Sequence, residues 1–311
     1  MQSDTINLIL CGTSLQSIWE YTDEKGLKKH YAFHGYKSRC LTILRKLWFF
    51  YKLPCKEIWF RKELKKIEGK CVVMDEDATL PFLEWFYRNR KTKNEKTIFY
   101  YWNLCGQSRI SPFDVRRLGY DVWSFDRLDC EKYGLRWNPQ LYCDSWYKNI
   151  DKNNISYDIS FVGRDKNGRM QEILDLTHRF GREKYCWNLH FMAHHWYNSL
   201  LNCRYHRFFR FPQMLTEEMK ASAILDFSQA NQRSITLRTF DALCNERKLI
   251  TNISAIKNEP FYDKNNVFII DEDPDENFES FVKGKFKPIE KQILEKRRFE
   301  NWVKTFFLSK M

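Results

Sequence analysis

Residues 223–251 read AILDFSQANQRSITLRTFDALCNERKLIT. Ala223–Phe227 is a short apolar run of strand type, and Lys248–Thr251 is a second. A polar loop from Ser228 to Arg233 leads into a helical stretch running from Ser234 to about Cys244. Two strands joined through a helix pair in parallel, because the crossover returns the chain to the same end of the sheet. Ser234 is suited to cap the helix start. The free amides there, at Ser234, Ile235 and Thr236, favour a phosphate through their N–H groups and the helix dipole. Arg238 lies about one turn in, and Asp241 shares its face three residues later.

The same alternation extends in both directions. Strands are predicted at Ile6–Leu10, Cys71–Asp75, Ile98–Asn103 and Asp121–Asp126, then at Tyr157–Gly163 and Val267–Ile270. Weaker strand signals lie near Tyr185 and over Tyr205–Phe209. Helices are predicted after Leu15, at Pro81–Arg90, before Gly119, at Met170–Phe180, before Ser222 and as one long helix over 287–309. Strands alternating with helices define an α/β chain with parallel sheets covered on both faces. The polar, aperiodic run Asn149–Tyr157 marks a boundary. The expected division is therefore 1–152, 153–285 and a C-terminal helix in 286–311.

The chain has 311 residues and a net charge of +12, with 43 % hydrophobic and 17 % aromatic residues. That length and apolar content suit two packed domains and exclude a disordered or fibrous chain. The charge points to an anionic partner. Ten cysteines without a C-x-x-C pair fit free thiols in a reducing cytosol, not a zinc or disulfide framework. No apolar run reaches spanning length, and Met1–Thr5 lacks the basic start of a secretion signal, so a cytoplasmic location is expected.

Residues 28–66 carry 12 Lys/Arg against two Glu, with nine aromatic rings among them. Leu41, Leu44, Leu47, Trp48 and Tyr51 fall at helical spacing, which predicts a basic amphipathic helix. Such a segment suits the anionic face of a membrane, with Trp48, Phe49 and Phe50 at the interface, and equally a core helix with a solvated basic face.

Strand ends in parallel sheets are where ligands bind. Gly163, Arg164 and Lys166 follow one such end and offer cations to a phosphate. In the first half, Asp126 and Asp75, with Asp129 behind them, are candidate general bases at strand ends. Gly12-Thr13-Ser14 and Asn103 lie at the ends of two further predicted strands. His190 and His194, with His195, have the i, i+4 spacing of a metal pair if helical, but no H-E-x-x-H completes it and no metal is expected.

The run SQANQRSITLRTFDALCNERKLITN (228–252) resembles the core of the nucleotide-binding domain of bacterial lipopolysaccharide and capsule glycosyltransferases, including the spore-maturation type. The blocks DVWSFDRLDCEKYGLRWNPQLY (121–142) and YDISFVGRDKNGRMQEIL (157–174) are similar to further parts of those proteins. The resemblance implies two facing Rossmann-like domains, the GT-B arrangement, with a final helix crossing back to the first. It implies an acceptor glycan or glycolipid on the N-terminal domain, reached through Gly12, Thr13 and Asn103. It implies a nucleotide sugar on the C-terminal one, with no metal. Segment 28–66 adds the expectation of peripheral attachment to the inner membrane, and no nucleic-acid partner is expected. By position, Arg238 matches an Arg near the phosphates and Asp241 a longer Glu that holds the ribose. Arg233 stands where many retaining relatives have an acid, so retention or inversion stays open. A basic nucleic-acid-binding protein and an inactive relative are the alternative readings; the first has the charge but no recognition motif.

Overall fold

The computed structural model describes residues 5–13, 17–91, 96–166, 168–193, 202–228 and 234–308. The chain divides into two compact units, one of residues 1–139 with 302–311 and one of residues 140–301.

Unit 1 is built on six parallel strands. They are β1 (Ile6–Leu10), β2 (Leu27–Tyr31), β3 (Lys70–Met74), β4 (Thr97–Tyr101), β5 (Asp121–Ser124) and β6 (Arg136–Trp137), in the order β2-β1-β3-β4-β5-β6. Every residue of β1 and β4 is buried, as expected of strands with helices on both faces. The sequence reading missed β2, whose LKKHY stretch is half polar. It is an edge strand, and lysines there discourage pairing with another chain. The apolar core on one side of this sheet joins Phe33, Phe60, Phe82, Phe86 and Phe99.

The segment after β2 folds as the helix Arg39–Phe50, capped by the Ser38 hydroxyl, and then as short turns. Its orientation is unusual: it buries Thr42 and Arg45 and leaves Leu41, Leu44 and Leu47 exposed. The Arg45 guanidinium lies 3.8 Å from the centre of the Phe33 ring. Of the three rings expected at an interface, Trp48 and Phe49 pack against the core instead, and only Phe50 stands out, 73 % exposed.

Unit 2 carries five parallel strands, β7 (Tyr157–Asp165), β8 (Trp187–Ala193), β9 (Ala221–Asp226), β10 (Lys248–Thr251) and β11 (Val267–Ile269), in the order β11-β10-β9-β7-β8. Counted within each unit, the first strand lies between the second and the third. The two units thus share one winding scheme, that of Rossmann-like α/β domains. The core of unit 2 gathers Phe161, Phe180, Phe268 and Phe278.

Three expectations change. The division falls after Pro139, because 140–152 belongs with unit 2: Trp146 packs on Phe211, and Arg247 donates to the Lys152 carbonyl at 2.7 Å. The single helix over 287–309 is two helices, Lys291–Glu295 and Phe299–Phe307. Between them the backbone pairs with Tyr142 through Tyr142 N–Arg297 O at 3.0 Å and Phe299 N–Tyr142 O at 2.9 Å. The stretch Tyr205–Phe209 is not a strand and contributes one bridge, His206 with Met192.

Trp302 and Phe306, counted with unit 1, pack on Tyr100, and Phe306 also meets Trp123. Trp302 donates its indole N–H to the Pro139 carbonyl at 2.8 Å, and its own carbonyl accepts from Asn138 at 3.0 Å. No helix among the described residues is long and apolar enough to cross a membrane.

Candidate functional site

In each sheet the chain reverses its direction of winding beside the first strand. Between β1 and β3, and between β7 and β9, neighbouring connections leave toward opposite sides and open a crevice at the strand ends.

In unit 1, Gly12 follows β1, Asp75 follows β3 and Asn103 follows β4. The structure brings these three together. A methyl group on Gly12 would stand 3.0 Å from the Glu76 carboxyl carbon, so glycine lets the two loops meet. Asp75 accepts from the Trp102 amide at 2.9 Å and from the Asn103 side-chain amide at 3.4 Å. It is 5 % exposed, and burial lifts its pKa to about 7 against these hydrogen bonds. It lines a cavity of about 240 Å³ with Glu76, Asp77, Asn103 and Arg109. Thr13 is half-buried beside Gly12; Ser14 lies outside the described residues.

Asp126, first among the expected bases, is a helix cap. Its carboxylate accepts from the Asp129 amide at 3.0 Å at the start of the helix Arg127–Tyr133. Asp129 in turn accepts from the Cys105 amide at 2.7 Å. Both acids hold backbone in place, which leaves Asp75 as the acid of this set on a cavity.

In unit 2 the helix after β9 starts later than expected. It runs Leu237–Cys244 with Thr236 as cap, so Ser234 and Ile235 belong to the approach loop. Thr236 suits the place because its hydroxyl accepts from the Arg238 amide at 3.1 Å and donates to Asp226 at 2.6 Å. Arg233 lies outside the described residues.

Arg238 and Asp241 turn inward. The Arg238 guanidinium donates to Glu218 at 2.7 Å and to the Val162 carbonyl at 2.8 Å. Asp241 accepts the Tyr147 hydroxyl at 2.8 Å and is 3 % exposed. The expected contacts of Arg238 with phosphate and of Asp241 with ribose therefore give way to a buried network. Burial, with other carboxylates close by, raises Asp241 to about 8 and Glu218 to about 7. Gly163 fits above this network: a Cβ there would meet Phe161 at 2.9 Å and Arg238 at 3.1 Å. Glu218 was invisible in sequence, as one of two adjacent acids in a polar helix end. Tyr147 lay just ahead of the expected boundary run Asn149–Tyr157, in the part assigned to the first domain.

The β7 end has a different character. Arg164, Lys166 and Arg169 crowd there at the start of the helix Arg169–Phe180, whose cap Gly168 takes φ +82°, a left-handed conformation that glycine tolerates. Arg164 lies over the Phe208 ring. Burial, then Arg164 and Arg169, lowers the Lys166 pKa. Burial, then Arg238, lowers Arg169 to about 10. Arg169 Nε is buried without a hydrogen-bond partner. Two acids act on Arg169, and both have other partners: Asp226 accepts from the Thr236 hydroxyl at 2.6 Å, and Asp165 from the Met170 amide at 3.0 Å and the Tyr205 hydroxyl at 2.6 Å. The arrangement concentrates positive charge where an anion would relieve it. Arg169 follows three residues after Lys166 and was not singled out from the sequence.

His190 lies in β8, not in a helix, and its ring stacks on Phe209 while Nε2 faces the Arg207 carbonyl at 2.9 Å. His194 and His195 lie outside the described residues. Among those described, no group of three or more His, Cys, Asp or Glu is placed to hold a metal ion.

A scan of protein-family models finds no match to this chain, and a search of curated proteins finds none either.

Proposed function

We propose that the protein is a nucleotide-sugar-dependent glycosyltransferase acting on a bacterial surface glycan or glycolipid. The observation that carries the reading is the cation cluster of Lys166 and Arg169, with Arg164, at the β7 end of the unit 2 crevice. Strained by mutual repulsion and burial, it is suited to a diphosphate, whose charge it would neutralise as the sugar leaves. This moves the diphosphate contact from Arg238, expected from the resemblance, to the preceding βα turn. Arg238 keeps a supporting part beneath Gly163.

In this reading unit 1 takes the acceptor at the cavity beside Asp75. A carboxylate with a pKa near 7 can accept the proton of the attacking hydroxyl. The bond from the anomeric carbon to the diphosphate breaks, the bond to the acceptor oxygen forms, and the nucleoside diphosphate departs. The GT-B pairing of the two units and the return of the last helix to the first belong to the same proposal, as do a cytoplasmic location and a reaction without metal.

Calorimetric titration with UDP, GDP, ADP and TDP tests it. At least one should bind, and the double change Lys166→Ala, Arg169→Ala should weaken it about 100-fold, from two charge-assisted contacts. Absence of binding to all four, or binding indifferent to that double change, would refute the assignment. Binding of random oligonucleotides with steep salt dependence would favour a nucleic-acid partner instead.

A further inference from the structure

Eight of the large apolar side chains that stand exposed among the described residues lie between positions 41 and 58. Leu41, Ile43, Leu44, Leu47, Phe50 and Tyr51 are each between 44 % and 73 % exposed on the helix Arg39–Phe50 and its end. A surface helix ordinarily turns such residues inward. This one turns Thr42, Arg45, Trp48 and Phe49 inward and leaves its leucines outside, and the reason lies beneath it. Arg45 caps the Phe33 ring, and Lys46 pairs with Asp77 at 2.8 Å. The inner face is thereby held to the loop that lines the Asp75 cavity. Exposure of the outer face is a fixed property of the fold.

A contiguous apolar face of this kind marks an interaction site. The charge around it selects the partner. Lys37, Arg39 and Lys52 are exposed near it, and a groove of about 720 Å³ is lined by Lys52, Lys56 and Trp85 with Glu57 and the Arg88–Glu84 pair. An apolar face with an excess of cations beside it matches a bilayer with anionic headgroups, which takes the apolar face into the acyl boundary and the cations at the phosphates.

We infer that the outer face of the helix Arg39–Phe50, with the turn through Ile58, docks on an anionic phospholipid bilayer. Docking here brings the loop Asp75–Asp77, tied to the helix through Lys46, to the membrane side of unit 1. Within the proposed function, the acceptor is then a lipid-linked molecule whose sugar reaches Asp75 while its tail stays in the membrane. That last step rests on the glycosyltransferase reading; the docking does not.

Sedimentation of the full chain with phosphatidylglycerol and with phosphatidylcholine vesicles tests the inference. The chain should sediment with the first, less with rising salt, and weakly with the second. The triple change Leu44→Ser, Leu47→Ser, Phe50→Ser alters exposed side chains only, so the fold is kept. It should weaken vesicle binding by about tenfold or more. Lys37→Glu with Arg39→Glu and Lys52→Glu should remove the preference for anionic lipid. Equal binding by parent and triple variant, or no binding to either vesicle, overturns the inference. So does a parent dimer that the triple change converts to a monomer in equilibrium sedimentation, since the face would then join two copies. Nucleoside diphosphate titration of the same samples separates the two proposals. In the parent chain, absence of vesicle binding with nucleotide binding present counts against docking alone, and vesicle binding without nucleotide binding counts against the donor site alone.

Discussion

Replacing Asp241 by Asn removes a buried titratable carboxyl while keeping its shape and an oxygen for the Tyr147 hydroxyl. In the unfolded chain Asp241 titrates near its ordinary value of 3.8; in the folded chain burial and Glu218 raise it to about 8. Between these values the folded form binds more protons than the unfolded one. Stability therefore falls as pH rises from about 4 to about 8. Three pH units, from 4 to 7, at about 1.4 kcal/mol each set a ceiling of about 4 kcal/mol. Glu218 is raised to about 7 beside the same Arg238 and shares the proton, so about half of that, roughly 2 kcal/mol, is expected. Asn carries no such penalty. The Asp241→Asn variant should match the parent near pH 4 and exceed it by about 2 kcal/mol at neutral pH. Urea denaturation followed by tryptophan fluorescence across that range measures both. A variant no more stable than the parent at neutral pH, or one with the parent's pH slope, would refute the reasoning.

Gly163→Ala pushes a methyl group against the buried Phe161 ring and Arg238 and should cost about 1–3 kcal/mol, read as a lowered melting temperature. Trp302→Ala removes an indole packed on Tyr100 and bonded to Pro139, and should destabilise unit 1 by about 3–5 kcal/mol in denaturant titration. If Asp75 is the base, sugar transfer should rise with pH through about 7 as its carboxylate ionises. Asp75→Asn should lower the rate by about 10²–10⁴ and abolish that limb of the pH–rate profile.

The alternation of apolar runs with amphipathic ones made the parallel α/β architecture legible, because strands buried on both faces carry little but apolar residues. β1, β3, β4 and β10 lie within a residue or two of their expected places. The edge strand Leu27–Tyr31 escaped because an edge needs no such run. The donor-side chemistry was legible only as residue types. Which cations face the crevice depends on where Glu218 and Tyr147 arrive, and both come from elements distant in sequence from Arg238 and Asp241. Likewise Asp126 and Asp75 end similar strands. Only the tertiary structure makes one a cap and sets the other on a cavity. The helix Arg39–Phe50 was legible as amphipathic, but not the direction in which it faces, because burying Arg45 requires a ring to receive it.

Asn138 meets Trp302 across 164 positions of chain. During synthesis, the six strands of unit 1 leave the ribosome before any of unit 2. Their surface at Tyr100 and Trp123 stays uncovered until Trp302 and Phe306 arrive. At about 5–20 residues per second that wait is on the order of ten to thirty seconds. The nascent first half must pass this interval with an aromatic surface open to water. It is the period in which a chaperone has most to grip, and a ribosome stalled within unit 2 would leave an aggregation-prone fragment.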